Sequence, residues 1–236
     1  MSGPSLITRV AIVGAGVPGL SMASSLLDAG ITDFAITAQD NEVDGTHRLQ
    51  RHLMASAQVR SARYQDHDGT WILTTRTGLG FWSENIVVAG YTTNPAAAPV
   101  DIRGREDAHL DQQGTSDAFL GLAVPGFPNL YLLGAHRFAP MLGSTAATAV
   151  QTRYIVDCLH EHYRLAAPLE VRTEAVRGYQ QRLDTEPLRT VADFDRIARH
   201  FSPTTAFSAV PDPYQLSDFP WPPEVPAAST HRRVLQ

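Results

Sequence analysis

Three glycines near the start of the chain have the spacing of a site for nucleotide phosphates. Gly14, Gly16 and Gly19 form the pattern G-x-G-x-x-G within the stretch Val10 to Leu20. In this pattern the first glycine permits a tight turn and the second lets a pyrophosphate approach the backbone. The third lets a helix pack closely on a strand. The chemistry indicated is the binding of a dinucleotide by its phosphates.

The residues around these glycines predict the elements that would hold them. Arg9 to Val13 is a short apolar strand, and Val17 to Asp28 has apolar residues at helical spacing before Gly30 ends the helix. A second strand is predicted at Phe34 to Ala38. Strand, turn, helix and strand in this order predict a Rossmann-like unit. The alternative is a glycine-rich turn that packs without binding a ligand.

The position that binds the ribose in such units is unusual here. An acidic residue is expected about 20 residues beyond the glycines, at the end of the second strand. This chain has Ala38 there, with Gln39 and Asp40 following. Gln39 offers only a neutral hydrogen bond, and Asp40 is displaced by two residues. The sequence therefore predicts the fold and leaves tight dinucleotide binding open.

Composition excludes several classes of function. The chain has 236 residues, of which 43% are hydrophobic and 18% charged, enough for a sizeable core in one large or two small domains. Its net charge of -5 gives no basic surface for nucleic acid. No apolar run reaches membrane-spanning length and no signal-like pattern opens the chain, so a cytoplasmic protein without a membrane partner is expected.

Basic and thiol residues narrow the chemistry further. All 19 basic residues are arginine, which excludes a lysine Schiff base and a P-loop lysine. Cys158 is the only cysteine, so an internal disulfide and a thiolate metal cluster are excluded, and no metal site is expected. Cys158 lies on a predicted helix, where a buried structural thiol is favoured over a nucleophile.

The rest of the chain predicts a hairpin and then a helical region. Gln58 to Tyr64 and Trp71 to Thr75 alternate in polarity around a turn, which predicts a β-hairpin. The other predicted elements are strands at 85–90 and 130–133 and helices at 143–164, 171–183 and 191–201. Ser144 or Thr145 is expected to cap the first of these helices, whose apolar stripe is predicted at Ala149, Tyr154, Ile155 and Leu159.

From Ser202 onward the chain is rich in proline and aromatic residues, which predicts an extended surface tail. Its aromatic side chains offer apolar area that would close an open cleft or pack on a second subunit. These side chains are Phe207, Tyr214, Phe219 and Trp221.

Several of these stretches resemble class B flavoprotein monooxygenases, the group of Baeyer–Villiger and flavin-containing monooxygenases. Val10 to Gly16, followed by the Asp-Gly-Thr-His run at 44–47, is similar to the first FAD motif of the family and its Gly-Gly-Thr-Trp. Val59 to Pro99 resembles the hairpin and strand that close the first FAD segment. Residues 101–105 and 119–134 resemble the return of the chain into the FAD domain. The chain therefore resembles a truncated member that lacks the NADPH-binding domain.

The resemblance implies an α/β fold with a Rossmann-like, FAD-binding-type three-layer core, an added β-hairpin layer and a helical C-terminal region. It implies one domain over 1–201, made of a first segment (1–99) and a return segment (100–201), with the tail at 202–236. Because no second glycine fingerprint occurs, no NAD(P)H site is expected. The residues that the resemblance assigns to FAD are Gly14, Gly16, Pro18, Gly19, Asp40, Gly45, Thr46, Val59, Gly134 and Ser144.

The chain also departs from the family pattern near the flavin. Asp44 replaces a glycine, His47 replaces a tryptophan, and Gly-Ala-His at 134–136 stands where the family has Gly-Pro-Asn. Imidazole titrates near neutral pH, so His47 and His136 are candidate acid/base groups. Arg137 or Arg48 would steady an oxyanion, and Asp44 or Asp40 would orient a histidine. The alternative for each histidine alone is a solvated or core residue.

The sequence is compatible with three functions. The first is a natural-product tailoring enzyme that catalyses a redox-neutral cyclisation, dehydration or isomerisation of a polyketide-like small molecule in the former flavin cleft. The second is an FAD-dependent oxidoreductase or monooxygenase component that a separate partner reduces. The third is a non-catalytic scaffold. The sequence leaves open whether the chain binds FAD and whether it forms a homodimer.

Overall fold

A mixed β-sheet lies at the centre of the chain. The computed structural model describes residues 7–38, 48–89, 100–111, 117–134, 144–186 and 188–211. The strands within them are β1 (Ile7–Val13), β2 (Phe34–Thr37), β3 (Leu53–Met54), β4 (Val59–Gln65), β5 (Thr70–Thr75), β6 (Gly80–Ala89), β7 (Asp101–Arg103), β8 (Leu130–Leu133), β9 (Leu169–Val171) and β10 (Phe207–Ala209). The helices are α1 (Val17–Asp28), α2 (Ser144–Leu165), α3 (Thr173–Thr185), α4 (Val191–His200) and α5 (Pro203–Ala206).

One long strand, β6, belongs to two parts of this sheet. The strand order is β3-β2-β1-β6-β5-β4-β7, and β8 also pairs with β6. The pairs β3–β2, β2–β1, β1–β6 and β6–β8 are parallel, as is the pair β4–β7. The pairs β4–β5 and β5–β6 are antiparallel, so β4, β5 and β6 form a meander. Residues 80–83 of β6 pair with β5, and residues 86–89 pair with β8. The Rossmann-type parallel sheet and the hairpin layer are therefore joined through one strand.

The two faces of the parallel sheet bury separate cores. In β1, Val10 and Ile12 pack with the helices, while Ala11 and Val13 pack with the meander. This division follows from the strand geometry, because successive side chains point to opposite faces. Helices, parallel sheet and meander make three layers, which confirms the predicted α/β fold class.

Most of the predicted elements form, with corrections where distant pairing decides the outcome. The strand predicted at 85–90 begins at Gly80, because its first half pairs with β5. The helix predicted from Val171 begins at Thr173, since Val171 is paired in β9 with Phe207 of β10.

The predicted extended tail is wrong over residues 203–209, which form α5 and β10. Phe207 is only 4% exposed and lies in the helical core, so its ring is not available to close a cleft. The other three aromatic residues proposed for that role lie outside the described residues.

The longest helix, α2, is buried along most of its length. It is already helical at Ser144, so Ser144 and Thr145 belong to its first turn, and the capping position falls outside the described residues. Tyr154, Ile155 and Leu159 are buried as predicted, whereas Ala149 is exposed. Neither α2 nor another helix in the described part of the chain is long and apolar enough to cross a membrane.

Cys158 lies in the middle of α2 and is fully buried. Burial in apolar surroundings disfavours the thiolate and raises the pKa of the Cys158 thiol well above its usual value. The prediction of a buried structural thiol is confirmed.

Candidate functional site

The carboxyl ends of the parallel strands meet along one edge of the sheet. Gly14 follows β1, Ala38 follows β2, Ala89 ends β6 and Gly134 follows β8. The Gly14 N–H donates to the carbonyl of Thr37 at 3.1 Å, which joins the ends of β1 and β2. In open α/β sheets ligands bind outside this edge. We call residues 14–19, 38, 89 and 134 the carboxyl edge.

Two of the fingerprint glycines are required by the protein itself. Gly14 has φ +109°, and a Cβ atom there would lie 2.7 Å from the carbonyl oxygen of Ala89. A Cβ atom on Gly19 would lie 2.0 Å from the carbonyl oxygen of Gly14 and 3.3 Å from Cβ of Ala89. These contacts show that α1 packs directly on the ends of β1 and β6, the close approach predicted for the third glycine.

Gly16 differs from the other two because no atom of the described residues crowds it. Its φ of −70° suits any residue, and the nearest atom to an added Cβ is Cδ of Pro18 at 3.9 Å. The missing side chain therefore serves no contact within the described residues. Without a side chain, the backbone at Gly16 can be approached from the carboxyl edge. A Cβ atom would fill the space through which a phosphate approaches.

The N-terminus of α1 lies at the carboxyl edge and is a favourable position for an anion. Gly16 is the N-cap, no side chain in the described part of the chain caps the helix, and its first turn contains no acidic residue. The first N–H groups of a helix lack intrahelical acceptors, and the helix dipole places partial positive charge there. Pro18 in this turn carries no N–H but fixes the backbone in a helical geometry. The arrangement fits a diphosphate group.

The end of β2 is apolar where an acidic residue is usual. Ala38 is 4% exposed, its N–H donates to the carbonyl of Met54 (3.1 Å), and its carbonyl accepts from the N–H of Ala57 (2.9 Å). These bonds tie β2 to the chain that enters β4 at Val59. Val59 itself is 5% exposed and packs in the meander core. The ribose anchor is absent at position 38, as the sequence indicated.

A buried glutamine fixes the far end of the edge. Gly134 has φ +84°, and its N–H donates to Oε1 of Gln151 at 3.2 Å. The Gln151 Nε2 group donates to the carbonyl of Leu120 at 3.2 Å, and the side chain is almost fully buried. Gln151 thus joins α2 to the end of β8, a role that the sequence reasoning missed. The only signal was its place in α2 between Val150 and Tyr154, which are both buried.

Most of the predicted site residues fall into two groups. Gly14, Gly16, Pro18, Gly19 and Gly134 lie on the carboxyl edge, and Ser144 begins α2 two turns before Gln151. A second group lies outside the described residues, and its role stays a prediction. This group is Asp40, Asp44, Gly45, Thr46, His47, His136 and Arg137.

Arg48 does not belong to the edge. It is exposed and lies 3.8 Å from Asp28, the last residue of α1. A twelve-residue helix is about 18 Å long, so this ion pair is at the opposite end of α1 from Gly16. The expectation that Arg48 steadies an oxyanion in the cleft is wrong.

The carboxyl edge suits binding better than proton transfer. The residues that define it are glycine, alanine, proline and valine, so none carries an ionisable side chain. No cluster of three histidine, cysteine, aspartate or glutamate residues suited to a metal occurs among the described residues. What this part of the edge offers a ligand is backbone N–H groups and space.

A separate polar cavity of about 380 Å³ lies on the meander side and is less suitable. Its two arginines are already ion-paired, Arg63 with Asp107 at 3.2 Å and Arg103 with Asp101 at 3.1 Å. Tyr64 also lines it, and burial raises the pKa of the Tyr64 phenol, which therefore stays protonated at neutral pH. The carboxyl edge remains the candidate site.

Comparison with known proteins gives structural matches only. No family model matches the sequence, and no curated protein matches it. The fold matches cyclohexanone monooxygenase from Rhodococcus sp. Phi1 bound to NADP+ with a TM-score of 0.69, 9% identity, and coverage of 86% of this chain and 99% of that chain. An oxidised steroid monooxygenase bound to NADP matches with a TM-score of 0.65, 8% identity, and coverage of 86% and 99%.

A third match, OTEMO in an FAD-bound form, has a TM-score of 0.61, 9% identity, and coverage of 83% of this chain and 92% of that chain. These likenesses show that the chain has the fold of the Baeyer–Villiger flavin monooxygenases. The resemblance drawn from the sequence motifs is confirmed at the level of the fold.

Proposed function

We propose that this chain is a flavoprotein that binds FAD through its diphosphate at the carboxyl edge. The observation that carries the proposal is Gly16, which has no side chain although no contact with the described residues requires its absence. The structural matches include OTEMO in an FAD-bound form. Because the same fold is combined with an open backbone and an uncapped helix, a dinucleotide is the ligand that the edge fits best.

Different residues of this chain would bind different parts of the cofactor. The backbone from Gly14 to Gly19 would hold the diphosphate at the start of α1. Gly134 and the first turn of α2 would face the flavin ring, with the helix dipole of α2 directed at its pyrimidine edge. Bound FAD would supply oxidation–reduction chemistry on a small-molecule substrate. Since the sequence has no second glycine fingerprint, a separate reductase or the substrate itself would supply the electrons.

Replacing Gly16 with alanine tests this proposal. The added methyl group would fill the space at the start of α1 and remove a backbone hydrogen bond to a charged phosphate. We expect the affinity for FAD to fall about tenfold or more, which is the effect of losing one such bond. The measurement is titration of the purified protein with FAD, followed by flavin fluorescence.

Gly178→Ala is the matched control, because it is also a glycine-to-alanine change without a clash. A Cβ atom on Gly178, in α3, would lie 3.5 Å from the Phe201 ring. This variant should bind FAD like the wild type. Its free energy of unfolding should rise by about 0.5–1 kcal/mol, since alanine favours the helix. Wild-type affinity for FAD in Gly16→Ala would contradict the proposal.

A second candidate function is the redox-neutral one, a cyclisation, dehydration or isomerisation of a polyketide-like natural product. The observation that favours it is Ala38, which removes the usual ribose anchor and so weakens the case for a retained cofactor. His47 and His136 would then act as the acid/base pair, with Asp44 and Arg137 as their partners. A visible absorbance spectrum of the protein, before and after addition of FAD and desalting, separates the two candidates. A retained flavin band contradicts the redox-neutral function, and its absence in both samples contradicts the flavoprotein.

A further inference from the structure

The carboxyl edge has two parts, the start of α1 and the end of β2, which differ in the polar groups that a ligand could contact. At the start of α1 no side chain of the described residues caps the helix and none of their atoms crowds Gly16, and the first N–H groups of a helix lack intrahelical acceptors. At the end of β2 the polar groups are already used within the protein. Both backbone groups of Ala38 are hydrogen-bonded, to Met54 and from Ala57.

The preceding residue, Thr37, is used in the same way. Its carbonyl accepts from the N–H of Gly14, and its hydroxyl donates to the carbonyl of Ile12 at 3.4 Å. Both side chains at this strand end are at most 4% exposed. Among the described residues, these groups at the strand end are therefore already bonded to protein partners, whereas the glycine turn beside them is uncrowded.

A protein recognises a ribose by accepting hydrogen bonds from its 2′- and 3′-hydroxyl groups. In dinucleotide-binding folds a carboxylate at the end of the second strand supplies it. A methyl group at Ala38 accepts no hydrogen bond, and the neighbouring carbonyls already have partners. Diphosphate recognition does not depend on this strand, because it uses the glycine turn and the helix.

We infer that this edge recognises an organic diphosphate through its phosphates and does not read the ribose hydroxyls. The ligand class is that of nucleoside diphosphates and their dinucleotide derivatives, with little discrimination between ribose and 2′-deoxyribose. The inference rests on the proposed function in one respect, the placement of the diphosphate at Gly16. It adds that Ala38 sets the sugar selectivity of the site.

The test compares ADP with 2′-deoxy-ADP by calorimetric titration of the full chain. We expect the two dissociation constants to agree within about twofold, because no hydrogen bond to the 2′-hydroxyl is lost. Gly16→Ala should weaken both ligands about tenfold or more, which places them at the glycine turn. Gly178→Ala should leave both unchanged.

Ala38→Glu provides the complementary gain of function. A carboxylate at this position should favour ADP over 2′-deoxy-ADP by about tenfold, the effect of one hydrogen bond to a charged group. Because Ala38 is buried, near-UV circular dichroism must first show that the variant is folded. Ala38→Ser is the smaller control, expected to fold and to show a preference for ADP well below that of the glutamate variant.

A preference of tenfold or more for ADP over 2′-deoxy-ADP in the wild type would overturn the inference. If the Asp40→Asn variant then lost this preference, the ribose contact would be assigned to Asp40. If FAD also binds in that case, the proposed function stands and only the inference fails. Equal binding of ADP and 2′-deoxy-ADP without displacement by FAD would support the inference and contradict the flavoprotein. Failure of all three ligands to bind contradicts both.

Discussion

Replacing Phe119 with alanine is expected to lower the free energy of unfolding by about 3–5 kcal/mol, the range for removing a large buried aromatic side chain. Phe119 is fully buried in the helical core. Its ring centroid lies 5.5–6.2 Å from four other aromatic rings, which come from different parts of the C-terminal region. They are Tyr154 in α2, Tyr179 in α3, Phe201 after α4 and Phe207 in β10.

The expected loss has two sources. Alanine removes the apolar surface of the ring from the core, and it leaves a cavity that four ring neighbours on separate elements cannot fill together. Three of the four rings meet Phe119 edge-on, a favourable geometry that the variant also loses. Urea unfolding followed by far-UV circular dichroism measures the change. Phe119→Leu keeps most of the volume and should lose clearly less, whereas a loss below about 1 kcal/mol in Phe119→Ala would show that the core closes around the gap.

Gly19→Ala is the second substitution expected to have a large effect. The new Cβ atom would lie 2.0 Å from the carbonyl oxygen of Gly14 and 3.1 Å from its carbonyl carbon. Both are backbone atoms, so no side-chain rotation relieves the clash, and α1 must move away from β1. Overpacking of this kind costs about 3 kcal/mol when the backbone has to shift.

Gly16→Ala is the matched comparison for stability, three residues away in the same turn. Its φ of −70° is normal for alanine and no described residue crowds the position, so its free energy of unfolding should stay within about 0.5 kcal/mol of the wild type. Thermal unfolding of the two variants side by side gives the difference. Equal stability of Gly19→Ala and Gly16→Ala would mean that α1 does not pack on β1 as closely as described.

The sequence predicts the first half of the fold well because its signals are local. Gly14, Gly16 and Gly19 lie between a strand and a helix, and the turn at 65–70 is flanked by alternating residues. Each of these patterns reports the conformation of its own neighbourhood. The carboxyl edge could be located on the same basis.

The errors occur where residues distant in the sequence decide the structure. Phe207 reads as part of a proline-rich tail, but it pairs with Val171 and enters the core. Asn129 reads only as a turn residue, yet it is buried with φ +53° and bonds to the carbonyl of Glu84 and the N–H of Leu169. Gln151 likewise depends on Gly134 and Leu120 for its role. Such partners are fixed by tertiary packing, which periodicity does not report.

Because β6 pairs with strands of both the meander and the parallel sheet, it limits where the chain can be cut and recombined during evolution. Its first residues belong to the meander and its last residues to the parallel sheet, so a break within it would leave both layers without an inner strand. Segments that precede or follow β6 can be exchanged at loops, where insertions disturb few contacts. The strand itself must be inherited whole, and the two layers with it.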